Sequence, residues 1–162
     1  MTAYWISSAK IEQRQVEDLK SLPEDGEGFL WLDIPQCDEL ALRKLSEEFN
    51  FHAFAIQACR DRTHLPKVHA YADHLFVILH APEPGASGHI HLLELDQFIG
   101  RRYLVTVHGP LGEGVVGDCA LRETRAVLER IEAGRYRPNF PAELSYTIVT
   151  AMVRTVSNSC RR

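Results

Sequence analysis

A chain of 162 residues is long enough for one domain with a substantial buried core. Hydrophobic residues make up 45% and charged residues 25%, which excludes a disordered chain, and no apolar run approaches the roughly 18 residues needed to span a bilayer. The formal net charge of −4 speaks against a nucleic-acid surface, which would cluster Lys and Arg. The opening MTAYWISSAK lacks the basic start and apolar core of a signal peptide. Four cysteines (Cys37, Cys59, Cys119 and Cys160) are scattered without the paired spacing of a zinc or redox site, and read as reduced structural thiols.

In chain order, Ala3–Ser7 is expected to form a short strand and Ile11–Leu19 a short helix, with Ile11, Gln15 or Val16, and Leu19 on one side. Phe29 to Ile34 is a short apolar run ended by Pro35 and reads as a buried strand. Asp38 or a neighbour is placed to cap a helix that runs to Asn50, with Leu42, Leu45 and Phe49 at helical spacing. Asn50 suits the stop because Asn tolerates the left-handed conformation. A second short helix is expected over His52 to Cys59.

The period then changes. Lys67–Tyr71 and Leu75–His80 read as extended, and the second, apolar throughout, is expected centrally in a sheet. Pro82, Pro84, Gly85 and Gly88 mark a loop. His89–Ile99 and Tyr103–His108 supply two more strands around a tight turn at Gly100-Arg101-Arg102. Two helices follow, over Asp118–Glu132 and Ala142–Ser159. Near-consecutive strands followed by helices indicate α+β or mixed α/β, not a regular alternating fold. The last helix carries two apolar stripes, one of Leu144, Ile148, Ala151 and Met152, the other of Tyr146, Val149, Val153 and Val156. One such face is enough for a surface helix. The second stripe, and an end at Arg162 without Gly or Pro, suggest a helix that continues.

Gly112-Glu-Gly114-Val-Val-Gly117 matches G-x-G-x-x-G, but His108-Gly-Pro-Leu separates it from the preceding strand and no second parallel strand follows. A dinucleotide site needs both, so the segment reads as a loop before a helix. His89 and His91 alternate on a strand and share one face, half of a metal site with no second matched pair. His64, His69, His74, His80 and His108 fall on strands or their ends without recognisable catalytic partners, and His52 at a helix start reads as a cap. No G-x-S-x-G, H-E-x-x-H or nucleophile cysteine context is present, so no enzyme activity is indicated. Glu47 and Glu48 read as a solvated helix flank, and Asp33 as a strand-end hydrogen bonder.

One stretch carries a family signature. Between Phe49 and Leu79 the chain keeps Phe49, His52, Ile56, Pro66, Lys67, Tyr71, Asp73, Leu75 and Phe76 of the pattern F-G-[IL]-H-P-L-x-[IL]-E-D, R-P-K, Y-x-[DN]-[YH]-[LI]-F. Trp31-Leu-Asp-Ile and FIGRRYLVTVH match two further family segments. On these motifs, which cover most of the chain beyond Phe29, the sequence resembles the cytoplasmic domain of CorA-like divalent-cation transporters. The resemblance implies a mixed parallel and antiparallel sheet between helical layers. It further implies a homo-oligomeric, pentameric funnel that gates a pore for Mg²⁺ or Co²⁺, with zinc-transporting relatives in the same architecture. Residues 142–162 would then begin a stalk toward membrane helices.

The chain departs from the pattern at Asn50, Ala53 and Leu65, and above all at Gln57 and Ala58 in place of Glu-Asp. The resemblance implies that regulatory metal sits between subunits on that acidic pair and on an acid of the helix after the sheet. The matching positions here are Gln57, Ala58 and Thr150, which supply no charge to neutralise a divalent ion. Asp61, His89 and His91 are the remaining candidates. The alternative reading is a stand-alone soluble α/β binding protein that shares this domain.

Overall fold

The computed structural model describes residues 1–16, 27–63, 65–85, 89–111 and 117–159, the last five of these by backbone alone. Its first two elements form a hairpin. The chain leaves β1 (Thr2–Ile6) through a turn in which Ser7 N–H donates to the Lys10 carbonyl at 2.9 Å, and returns as β2 (Ile11–Arg14). Ile11 thereby lies opposite Ile6, and Arg14 opposite Ala3. The helix expected over Ile11–Leu19 is thus a strand at Ile11–Arg14, and residues 17–19 lie outside the described ones. Four residues carry too little periodicity to choose a helix, whereas the open edge of β1 offers partners to the backbone groups that face it.

Seven strands make one sheet in the order β2-β1-β3-β7-β6-β5-β4. In it β3 (Phe29–Ile34) and β7 (Tyr103–His108) run parallel, while β7, β6 (Ile90–Gly100), β5 (His74–Pro84) and β4 (Lys67–Ala70) follow antiparallel. The middle position therefore belongs to β7, not to the Leu75–His80 segment, which sits one strand from the edge. In β5, Phe76 and Ile78 are buried while Leu75 is 43% exposed, an alternation hidden by a run of uniformly apolar residues. β5 also continues through Pro82 and Pro84, where a loop is expected from composition. β4 begins opposite Ile78, so past that point no strand among the described residues lines the outer edge of β5 and a missing proline N–H costs no ladder bond.

Helices cover both faces. On one, α1 (Glu39–Glu47) and α2 (Ala53–Arg60) pack Ala41, Leu45, Ala55 and Cys59 against Leu32, Phe76, Phe98 and Val105. On the other, α4 (Arg122–Glu132) and α5 (Pro141–Ser159) pack Val127, Ile131, Leu144 and Ile148 against Trp31, Leu95 and Leu104. A short α3 (Gly117–Ala120) precedes α4, the two separated at Leu121 within what the sequence suggests is one helix. This is the mixed α/β sandwich expected. The first stripe of α5 is buried, whereas Tyr146 is 72% and Val153 59% exposed.

Local signals in α1 act as their chemistry requires. Asp38 takes the Ala41 N–H at 2.8 Å as N-cap, and Asn50 adopts φ 51° after the helix. Asp38→Ala is expected to cost about 1 kcal/mol in urea denaturation, the usual loss of a cap. Asn50→Val, forcing a β-branched residue into the left-handed region, should cost about 1–2 kcal/mol, whereas Asn50→Gly should be tolerated.

Candidate functional site

The positions that the family resemblance singles out lie on two helices on opposite faces of the sheet. Gln57 and Ala58 are on α2, Thr150 on α5. Gln57 Nε2 donates to Asp61 Oδ2 at 2.5 Å, so the amide and the nearby carboxylate satisfy each other. Ala58 packs against the core beneath α2. The Thr150 hydroxyl donates to the Tyr146 carbonyl at 2.8 Å, one turn back. It borders a groove of about 370 Å³ between α4 and α5 that is also lined by Arg130 and Arg154. Two guanidinium groups give that groove the wrong sign for a cation.

His89 stands just before β6 and His91 within it; the His89 carbonyl accepts from Gly85 N–H at 2.7 Å and the His91 ring covers Gly85 so closely that a Cβ there would meet it. Among the described residues no group of three or more His, Cys, Asp or Glu side chains is placed to hold a metal ion. Cys37, Cys59 and Cys119 are unpaired thiols, and Cys160 lies outside the described residues. Of the glycine motif only Gly117 is described, as the first residue of α3; residues 112–116 lie outside the described residues, as does His64. The parallel neighbour of β7 is β3, which precedes it in the chain, so the strand–helix–strand unit of a dinucleotide fold is not formed there.

Three histidines without evident partners in sequence each meet an acid in the fold. His74 Nδ1 lies 2.7 Å from Asp73 Oδ1 and its ring stacks on Tyr71, as does the His52 ring, whose Nδ1 accepts the Phe54 N–H as N-cap. At the carboxyl ends of β3 and β7, Asp33 Oδ1 accepts from the Thr106 hydroxyl at 2.5 Å and from His108 Nε2 at 3.0 Å. Trp31 Nε1 donates to Thr106 Oγ1 at 3.1 Å, completing a buried network. Asp33 is the strand-end hydrogen bonder expected. His80 Nε2 lies 3.3 Å from Glu94 Oε2 and 2.6 Å from the Thr63 carbonyl oxygen.

The residues that sequence reading missed are Glu94 and Asp96 on β6. Both are buried, Asp96 completely. Their alternation in LLELDQF, two acids within an otherwise apolar strand, is the signal that could have drawn attention. Burial and then the Glu94 charge push Asp96 up to about 8, and burial raises Glu94 above the usual carboxylate range. Burial likewise lifts the Cys37 thiol to about 11 and that of Cys59 well above its ordinary value, which makes both unreactive at neutral pH.

A seven-stranded mixed sheet between two helical layers is the architecture of a known class of transporter domains. The full-length CmaX protein superposes with a TM-score of 0.77 at 17% identity, over 98% of this chain and 46% of CmaX. CorA magnesium transporter from Methanocaldococcus jannaschii gives 0.70 at 17% identity, over 98% of this chain and 46% of that one. Its soluble domain alone gives 0.60 at 18% identity, over 96% and 57%. At these identities the likeness is one of fold.

A family model described as CorA-like Mg²⁺ transporter protein matches residues 26–162, and the chain belongs to that family. A Bacillus subtilis (strain 168) protein named as a metal ion transporter, YfjQ, is 28% identical over 129 residues, covering 76% of this chain and 35% of its own length. The chain thus spans less than half the length of these full-length relatives. Among the described residues no helix is long and apolar enough to cross a membrane.

These side chains generate a direct expectation. A site with a dissociation constant of about 1 mM would add about 1.4 kcal/mol of stability at about 10 mM ligand. Mg²⁺ or Co²⁺ at that concentration should leave the melting curve unchanged, because Gln57, Ala58 and Thr150 bring no charge. A clear shift that disappears in Asp61→Asn would place a working site on that carboxylate instead.

Proposed function

We propose that this chain is the cytoplasmic domain of a divalent-cation transporter, contributing to a pentameric funnel that gates a pore for magnesium or cobalt. Transport itself belongs to membrane helices outside these residues, and α5 leads toward them as the start of a stalk. The observation that carries this reading is the family match across residues 26–162, joined to a sheet topology that fits nearly the whole chain to less than half of a magnesium transporter. Within the second stripe of α5, exposed Tyr146 and Val153 fit a helix that packs against further protein, while the Val156 side chain lies outside the described ones. Metal regulation through the acidic positions is weak or lost in this member, since Gln57 and Ala58 hold neutral or apolar groups there.

The test uses the full-length protein in liposomes, with Mg²⁺ and Co²⁺ uptake measured beside the subunit count by native mass spectrometry. Uptake by a five-subunit assembly is expected. A reading frame without apolar segments of about 20 residues after Arg162, or a full-length protein that moves no divalent cation, would remove the transporter reading and favour a stand-alone binding protein.

A further inference from the structure

Glu94 and Asp96 lie two residues apart on β6, so both face the layer formed by α1 and α2. Asp96 sits opposite Ile78 of β5 and Val107 of β7 and within reach of the Cys59 thiol, a weak donor; no stronger hydrogen bond to its oxygens is formed among the described residues. The ionisable groups that face it are Glu94 on its own strand, Cys59 from α2 and Cys37 from the connection between β3 and α1. His80 of β5 and Arg62 beyond α2 act on Glu94.

Glu94 does mechanical work in turn. Its Oε2 accepts the Thr63 N–H at 2.8 Å, and His80 Nε2 bridges the Thr63 carbonyl and the same carboxylate. Arg62 Nη2 reaches the Leu92 carbonyl at 3.4 Å. The segment that leaves α2 is clasped to the sheet by these bonds. On the β7 side the Gly109 backbone closes against Glu94: a Cβ there would stand 2.7 Å from the Glu94 Cβ. Glu94 has no room to swing that way, so repulsion at this point must be relieved by the Thr63 side.

We propose that Asp96 and Glu94 form a proton-operated latch, in which protonated Asp96 lets Glu94 hold Thr63 on the sheet and loss of that proton to solvent frees the segment after α2. Two carboxylates ionised side by side without water repel strongly, and opening the Thr63 segment admits the water that Asp96 needs. The sign follows from linkage. In the closed form Asp96 keeps its proton up to about pH 8, whereas in an open, hydrated form it would lose it near the ordinary value of about 3.9. The closed form therefore binds the extra proton between these limits. While Glu94 is ionised the latch loosens by up to about tenfold per pH unit, and it reaches its floor above about pH 8. Because α2 also carries Gln57 and Ala58, proton loss at Asp96 reaches the helix that bears the family's acidic positions.

Amide hydrogen exchange of Thr63 between pH 5.5 and 9, corrected for intrinsic rate, tests this, with Leu104 of β7 as internal reference. Protection at Thr63 should fall steeply up to about pH 8 and then level, while Leu104 changes far less, and Asp96→Asn should flatten the Thr63 profile. A pH-independent Thr63, an equal fall at Leu104, or a fall that persists in Asp96→Asn would overturn the latch. If that variant does not fold, carboxyl and amide NMR of the wild-type protein decides. A shared titration midpoint for Asp96 and Thr63 supports the latch, and separate midpoints overturn it.

Discussion

The parallel pairing of β3 with β7 is the constraint from which the rest of the architecture follows. Parallel neighbours cannot be joined by a hairpin, so a long connection must separate the end of β3 at Ile34 from the start of β7 at Tyr103. That excursion holds α1, α2 and the meander of β4, β5 and β6. With helices on both faces, the two central strands have no solvent side, and their burial is nearly complete: Leu30, Trp31, Leu32 and Ile34 on β3, Leu104, Val105 and Val107 on β7. The outer strands are free of that demand. β2 and β4 are short and mostly polar or exposed, as edges of a sheet must be if they are not to pair with another chain.

Burial on both faces also decides the fate of every polar group on the inner strands. Thr106 and His108 are carried into the interior by β7, and Asp33, 19% exposed in its side chain, collects both. Gln97 is matched by Ser145 of α5 across the layer, at 2.5 Å. Such groups offset their desolvation through bonds that also fix the register of helix on strand. Asp96 differs from them because the side chain that meets it is the weakly donating Cys59 thiol, and a neutral carboxyl is the form in which burial costs least. Stability as a whole should therefore favour the acidic side of neutrality at this one residue, against the usual direction for paired carboxylates.

Much of the fold was legible before any coordinates. Strand β7 begins and ends where its pattern does, Asp38 and Asn50 bracket α1 by cap chemistry that four or five residues suffice to specify, and the family motifs define the sandwich. The failures share a cause. Ile11–Arg14 and Pro82–Pro84 are strands because a neighbouring edge is available on one side and vacant on the other, a condition set by residues far away in the chain. Likewise a continuous apolar run cannot say whether β5 is central, since Phe76 and Ile78 face the core while Leu75 does not. At the site, substitutions at Gln57 and Ala58 were visible at once. The pairing of His80 with Glu94 depends on hairpin register across an excursion of unpredicted length, and could not be read locally.

The separation between fold and metal positions has a simple geometric basis. On α2 the residues that hold the helix to the sheet are Ala55 and Cys59, four apart on one side. Gln57 lies off that line and its amide donates to Asp61, so the sandwich does not need a carboxylate there. Ala58 is half-buried against the core. A carboxylate in that place is partly desolvated, and without a cation to offset its charge it would be a burden to the folded chain. A bound divalent ion would make an acid at this position favourable; in a member that binds none, a small apolar residue suits the environment better. Alanine there fits the packing under α2, and the two cores hold the sandwich together without a charged group at that position.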